Sequence, residues 1–227
     1  MCVNYRPATP AQLQNFFKVS PSGPADEPES SSIGFQYPEE SFPGYAAPMI
    51  LGGHAIKACF GLIPFWAKDS KLSRSTYNAR SETVAEKPSF RQAWRRYQFC
   101  LVPMQAFFEP NYESGAAIRW RIARADQQPF AVAGLWDRWL GPNKEVVHSF
   151  TMLTLNADQH GLMKRFHKPG EEKRTIAILE QNAWQAWLEA KPSEALAMLK
   201  GPIQDLFSCE PAPIKAKDQA PKKTLLR

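Results

Sequence analysis

Residues 99–139 read FCLVPMQAFFEPNYESGAAIRWRIARADQQPFAVAGLWDRW. Within them Phe99–Pro103, Ala117–Arg124 and Pro129–Trp139 are strand-like runs, rich in β-branched and aromatic residues and set apart by polar breaks. Working outward, Ala55–Ile63 precedes this block, and Ser149–Leu155 and Thr175–Leu179 follow it with the same character. Helical patterns fit Ser89–Tyr97, Gln181–Ala190 and Ser193–Lys200. Thr9-Pro10 adds a helix start, with Leu13, Phe16 and Phe17 on one face. At least six strands with few helices between them argue against a doubly wound parallel sheet. They predict a single α+β domain: a curved, barrel-like antiparallel sheet with flanking helices.

The rest of the chain bounds its class. The 227 residues, 44% hydrophobic and 22% charged, suffice for one large domain and exclude a wholly disordered protein. No stretch approaches the roughly 20 apolar residues of a membrane span. The start, MCVNYRPATP, lacks the apolar region of a secretory signal. Cys2, Cys59, Cys100 and Cys209 lie too far apart for a metal knuckle or a disulfide framework. No metal or cofactor is expected, and a reducing cytoplasm is the expected compartment. Charge is spread unevenly. Residues 20–44 hold five acids, five prolines and six serines without a Lys or Arg, the composition of a long inserted surface loop. Residues 215–227 carry five basic groups against one acid and read as a disordered tail. Without these segments, the domain spanning 1–214 keeps 23 basic and 16 acidic groups, a net +7 that permits a polyanionic partner.

Several residues carry chemistry. Cysteine at position 2 is small enough for the initiator methionine to be trimmed, which exposes an α-amine (pKa about 7.7–8.0) beside a thiol (about 8.5). The amine can attack an aldehyde to give an imine, and the thiol can then close a five-membered thiazolidine. The same arrangement suits an N-terminal-nucleophile amidohydrolase, and a merely small residue at a frayed terminus is the plain alternative. In Tyr77-Asn78-Ala79-Arg80-Ser81-Glu82-Thr83, Asn78 can orient a substrate oxygen and Arg80 can fork onto a phosphate; taken alone, the segment reads rather as an Asx-type turn with a solvated arginine. Glu109 ends an apolar run, either as a buried acid poised near neutrality or as an exposed acid before a Pro110 turn. His167, in RFHKPG, is a proton shuttle or a structural histidine. His54, His148 and His160 show no i, i+4 pairing with carboxylates, so no zinc site is expected. Phe65 and Trp66, with Arg91, Arg95 and Arg96 in one helical segment, can stack bases and hold phosphates, or can be core and solvated residues.

The ordered set of motifs is more specific than any member. Met1-Cys2, Phe60-Gly61-Leu62-Ile63-Pro64, Asn78-Ala79-Arg80-Ser81-Glu82-Thr83, Cys100-Leu101-Val102-Pro103, Phe107-Phe108-Glu109, Ala133-Gly134-Leu135-Trp136, Phe150-Thr151-Met152-Leu153-Thr154 and Phe166-His167 follow one another along the chain. Together they resemble the SOS-response-associated peptidase (SRAP) proteins, which process abasic sites. The resemblance implies a monomer with a basic groove that senses abasic sites in single-stranded DNA at stalled replication forks and links itself to them. It implies Cys2 as nucleophile and Asn78 as holder of the opened sugar or the terminal amine. It implies Glu109 as proton shuttle and His167 as acid for ring opening and for slow reversal. Arg80 would bind a phosphate and Trp66 would stack at the DNA junction. Replication-fork proteins, self-removal of Met1 and a peptidase activity follow from the same resemblance. An abasic-site lyase activity follows from the imine, which can promote β-elimination, and a non-catalytic single-stranded DNA-binding module using Trp66 and the arginines is the further alternative. The start departs from the family pattern: Val3-Asn4-Tyr5-Arg6 stand where Gly-Arg is common, so the early phosphate contact falls to Arg6. Pro110 stands where the pattern has tryptophan.

Overall fold

In the computed structural model, which describes residues 2–19 and 36–214, the apolar run beginning at Phe99 continues to Asn111. In chain order the strands are β1 (Asn4–Pro7), β2 (Ala46–Leu51), β3 (His54–Phe60), β4 (Asn78–Arg80), β5 (Phe99–Asn111) and β6 (Ile118–Arg124). They continue with β7 (Phe130–Leu140), β8 (Val146–Asn156), β9 (Arg174–Ile176), β10 (Ile178–Leu179) and β11 (Phe207–Pro211). The α-helices are α1 (Pro10–Asn15), α2 (Arg91–Arg95), α3 (Trp184–Leu188) and α4 (Pro192–Met198).

Five strands close a ring in the order β5–β7–β8–β3–β2 and back to β5. Most ladders are antiparallel, as expected; β3 and β4 run parallel to β8. Closure removes the sheet edges and explains why β5 is apolar at consecutive positions. Cys100, Val102 and Met104 join Phe60, Phe150 and Met152 in the barrel core. Phe99 and Leu101 alternate with them and meet Leu13, Trp94 and Trp187 beneath the helices. Gly134 sits where two backbones approach: a Cβ there would lie 2.8 Å from Cys100 Sγ and 2.9 Å from the Thr151 carbonyl.

Local signals resolve as chemistry predicts. Thr9 caps α1 through a reciprocal box, accepting from Gln12 N at 3.2 Å while Thr9 N donates to the Gln12 side chain at 2.9 Å. The Gln181–Ala190 pattern is a 3-10 turn followed by α3. Thr175–Leu179 divides at Ala177, because β9 pairs with β8 and β10 with β7. Of the acidic segment, Tyr37 and Ser41 tie to β1 and its exit: Tyr37 donates to Ala8 O at 2.6 Å and Ser41 bridges Tyr5. Residues 20–35 and the basic tail from 215 lie outside the described residues.

Candidate functional site

The pairing of β1 with β5, Asn4 opposite Phe108, carries Cys2 to one end of the barrel core. Cys2 is buried, and its thiol donates weakly to Asn4 O at 3.5 Å. Burial, followed by the nearby charge of Glu109, raises the thiol well above its ordinary range. Asn78 reaches the same place from β4, donating from Nδ2 to Cys2 O at 2.7 Å. Its Oδ1 is buried with no partner among the described residues. The polar run 77–83 is thus partly a strand, ordered by the ladder to β8 that sets Asn78 against Met152. Tyr77 enters the site as well. Its ring packs on Phe60 at 5.9 Å, and its phenol is raised by burial and then by the charges of Cys2 and Glu109.

Of the two readings of Glu109, the buried acid holds. The residue is 2% exposed, because β5 runs on through Pro110 to Asn111 instead of turning. His167 meets it, Nδ1 to Oε2 at 3.4 Å. The histidine takes the left-handed conformation, φ 66°, uncommon outside glycine. Two bonds hold it there: His167 N donates to Pro110 O at 2.9 Å, and Nε2 lies 2.8 Å from Arg174 O. A carbonyl only accepts, so Nε2 carries the hydrogen and Nδ1 faces Glu109 with its lone pair. Burial pushes Glu109 up to about 7 and His167 down to about 4. The compatible state is a neutral histidine beside a carboxyl that shares its proton at neutral pH.

A buried arginine that the sequence did not single out braces this pair. The Arg174 side chain forks onto Glu82 at 2.8 and 2.9 Å and reaches Thr154 O at 2.9 Å, Thr154 Oγ1 at 3.0 Å and Glu172 at 2.9 Å. Arg80 joins the network through Glu172 at 2.8 Å and remains half-exposed at the rim. Contacts this remote in sequence leave no local signature beyond a basic residue following acids.

The remaining candidates lie apart from Cys2. Arg6 is engaged by Glu39 at 3.0 Å and Glu40 at 3.8 Å, acids of the segment read as a plain loop. Glu40 also binds Arg119, which stacks on Phe108 and bonds Asn4 Oδ1. Trp66 is 47% exposed on the loop after β3, beside an exposed Phe65. Arg91 and Arg95 are exposed on α2, and Arg96 joins that helix to the loop by lying 4.6 Å over the Phe65 ring. Among the described residues no group of three or more His, Cys, Asp or Glu is placed to hold a metal ion. No helix of those residues is long and apolar enough to cross a membrane. His160 has a structural task, bonding Pro202 O and accepting from Leu162 N and Met163 N.

Known proteins resemble this chain in sequence and fold. The chain is 32% identical over 139 residues to Abasic site processing protein YoqW of Bacillus subtilis, covering 61% of this chain and 58% of that protein. It is 28% identical over 172 residues to Abasic site processing protein HMCES of Xenopus tropicalis, covering 65% and 49%. The chain therefore spans about half the length of these relatives. A crystal structure from Bordetella bronchiseptica matches with TM-score 0.82 and 30% identity over 94% of this chain and all of that one. One from Bacteroides thetaiotaomicron, 23% identical, shares the fold with TM-score 0.80. Residues 1–215 match the sequence profile of the SOS response associated peptidase (SRAP) family, and the chain belongs to that family.

Proposed function

We propose that the protein captures abasic sites in single-stranded DNA through a thiazolidine formed by Cys2 once Met1 is removed. One observation carries the reading: Cys2, Asn78 and the Glu109–His167 pair meet at one end of the barrel core, in a chain whose relatives are named abasic site processing proteins. The Glu109 carboxyl, held by His167, supplies the proton that opens the sugar ring and frees its aldehyde. The Cys2 amine attacks the aldehyde carbon; the C–N bond forms, one amine proton passes to the former carbonyl oxygen, and the resulting hydroxyl leaves as water on a proton from Glu109, giving a protonated imine. The thiol then adds to the protonated imine carbon, forming the C–S bond as the C=N π pair moves to nitrogen, and its proton returns to the Glu109 carboxylate. Asn78 holds the Cys2 backbone and offers Oδ1 to the amine or to a sugar hydroxyl.

Arg80 contacts a phosphate in competition with Glu172. The exposed Trp66, Phe65 and α2 arginines support binding of the flanking strand. Arg6, already paired with two acids, contributes less than its position suggests. The imine also permits β-elimination, a slow strand cleavage. The burial that raises the Cys2 thiol works against the alternative of a thiolate peptidase acting on peptides in trans; self-removal of Met1 remains compatible.

Incubation with an abasic single-stranded oligonucleotide is expected to give a heat-stable adduct on a denaturing gel, with intact-mass analysis showing loss of Met1. Cys2→Ala is expected to give none. An equal adduct yield from that variant would overturn the thiazolidine.

A further inference from the structure

Trp120 of β6 stands directly across the ladder from Glu109 of β5. Opposed residues of an antiparallel pair project to the same face, with Cβ atoms about 4.5–5.5 Å apart. The same indole is met edge-on by Phe166, ring centroids 6.2 Å apart at 68°, and Phe166 precedes His167 in the chain. Beyond the ring, the Arg165 guanidinium lies 5.3 Å from its centroid and is forked by Glu113 at 2.8 Å. Trp120 therefore stands between the strand that carries Glu109 and the segment that carries His167. Its Nε1 is buried without an acceptor among the described residues, so it is the ring, not the polar handle, that is anchored there.

We propose that Trp120 is a positioning residue: its indole keeps water off the Glu109 carboxyl and holds the His167 segment against it. This rests on the reading of Glu109 and His167 as the acid–base pair. The titratable groups facing Glu109 include the α-amine, whose charge and hydrogen bond lower it, the Cys2 thiol just before β1, His167 from the segment before β9, and the Tyr77 phenol before β4. Loss of the ring admits water and opens the path to the Arg165 cation. Both changes favour the carboxylate, so the Glu109 midpoint falls.

The test is a direct titration of the full-length chain by infrared spectroscopy, with the protonated-carboxyl band assigned to Glu109 by its loss in Glu109→Gln. Wild type and Trp120→Phe, which keeps a ring and removes the orphaned donor, are expected to titrate alike near 7. Trp120→Thr, which retains strand propensity, is expected at least about one unit lower, and the Glu109 limb of the pH–rate profile for crosslinking moves with it. A folded Trp120→Thr variant with an unchanged midpoint overturns the assignment, as does a Phe variant that shifts equally far. If the Thr variant does not fold, Trp120→Leu is titrated in its place, with a downward shift expected and an unchanged midpoint again fatal. Midpoints that move as expected in a protein that never crosslinks abasic DNA would uphold Trp120 and sink the proposed function; crosslinking with immobile midpoints would do the reverse.

Discussion

Replacing Glu109 with Gln should expose a pH dependence of stability that the wild-type protein conceals. Glu109 is raised from 4.5 to about 7 on folding, so the native state keeps a proton that the unfolded chain has lost in that window. Alone, this favours folding below 4.5, and the advantage is lost as pH rises through 7. His167 is lowered from 6.5 to about 4, so its contribution is present above 6.5 and lost as pH falls through 4. Between 4.5 and 6.5 the two slopes oppose each other: folded, the pair holds one proton on Glu109; unfolded, it holds one on His167. Folding merely transfers it. Glu109→Gln deletes one slope and leaves the other, so the variant's stability relative to wild type should climb across that window. At about 1.36 kcal/mol per pH unit the climb is about 3 kcal/mol. Urea unfolding of both proteins at half-unit pH intervals measures it, and the difference curve cancels titrations the two share. Parallel curves would refute the proton assignment. The same variant is expected to crosslink about a hundredfold more slowly, the usual loss on removing one general acid.

Three further outcomes follow from the geometry. Arg174→Met should cost about 2 kcal/mol in urea unfolding, because it strips the Thr154 carbonyl of a buried donor while the partly exposed Glu82 and Glu172 turn to water; a neutral result would mean the network is dispensable. Gly61→Ala should destabilise by about 2 kcal/mol or more and disturb the loop bearing Trp66, since a Cβ there would lie 1.9 Å from the Ser73 carbonyl oxygen at φ 112°; thermal melting checks this. Replacing Arg91 and Arg95 with Gln should flatten the salt dependence of single-strand binding by about 1.4 in log–log slope, and an unchanged slope would remove α2 from the interface.

What the sequence disclosed divides along the range of the interactions. The α1 cap was legible because Thr9 and Gln12 satisfy each other three residues apart. The long strands were legible because burial on both faces writes uninterrupted apolar runs. The short strands β1, β4 and β11 were not, since four, three and five residues respectively are ordered only by the ladder each borrows, and the six-residue ring strand β2, which contains Pro48, was missed as well. Glu109 supported two readings until β1 and β6 were seen on either side of β5, where Pro110 extends the strand. The family motifs brought Cys2, Asn78, Glu109 and His167 into one list. Tyr77, Trp120 and Arg174 escaped it because nothing near them in the chain marks what they touch. The ion pairs of Arg6 were hidden for a related reason: its partners, Glu39 and Glu40, come from a segment whose composition suggests only solvent.

The raised thiol determines the order of events in the proposed capture. A nucleophilic cysteine that attacked first would need a thiolate, and both burial and the charge of Glu109 oppose one at Cys2. An amine needs only to lose its proton, and its ordinary pKa of about 7.7–8.0 lies close to neutrality. The amine therefore goes first, and the imine it makes is electrophilic enough to take a thiol whose proton departs during attack. Glu109, near 7, can give a proton to the leaving hydroxyl and accept one from the thiol afterwards. The apolar setting that would disable a cysteine peptidase thus suits a ring closure in which the acid and the base are one carboxyl. On this argument, methylating the amine while leaving the thiol free should abolish the adduct. An adduct that forms at undiminished rate from the dimethylated protein would show that the thiol attacks first.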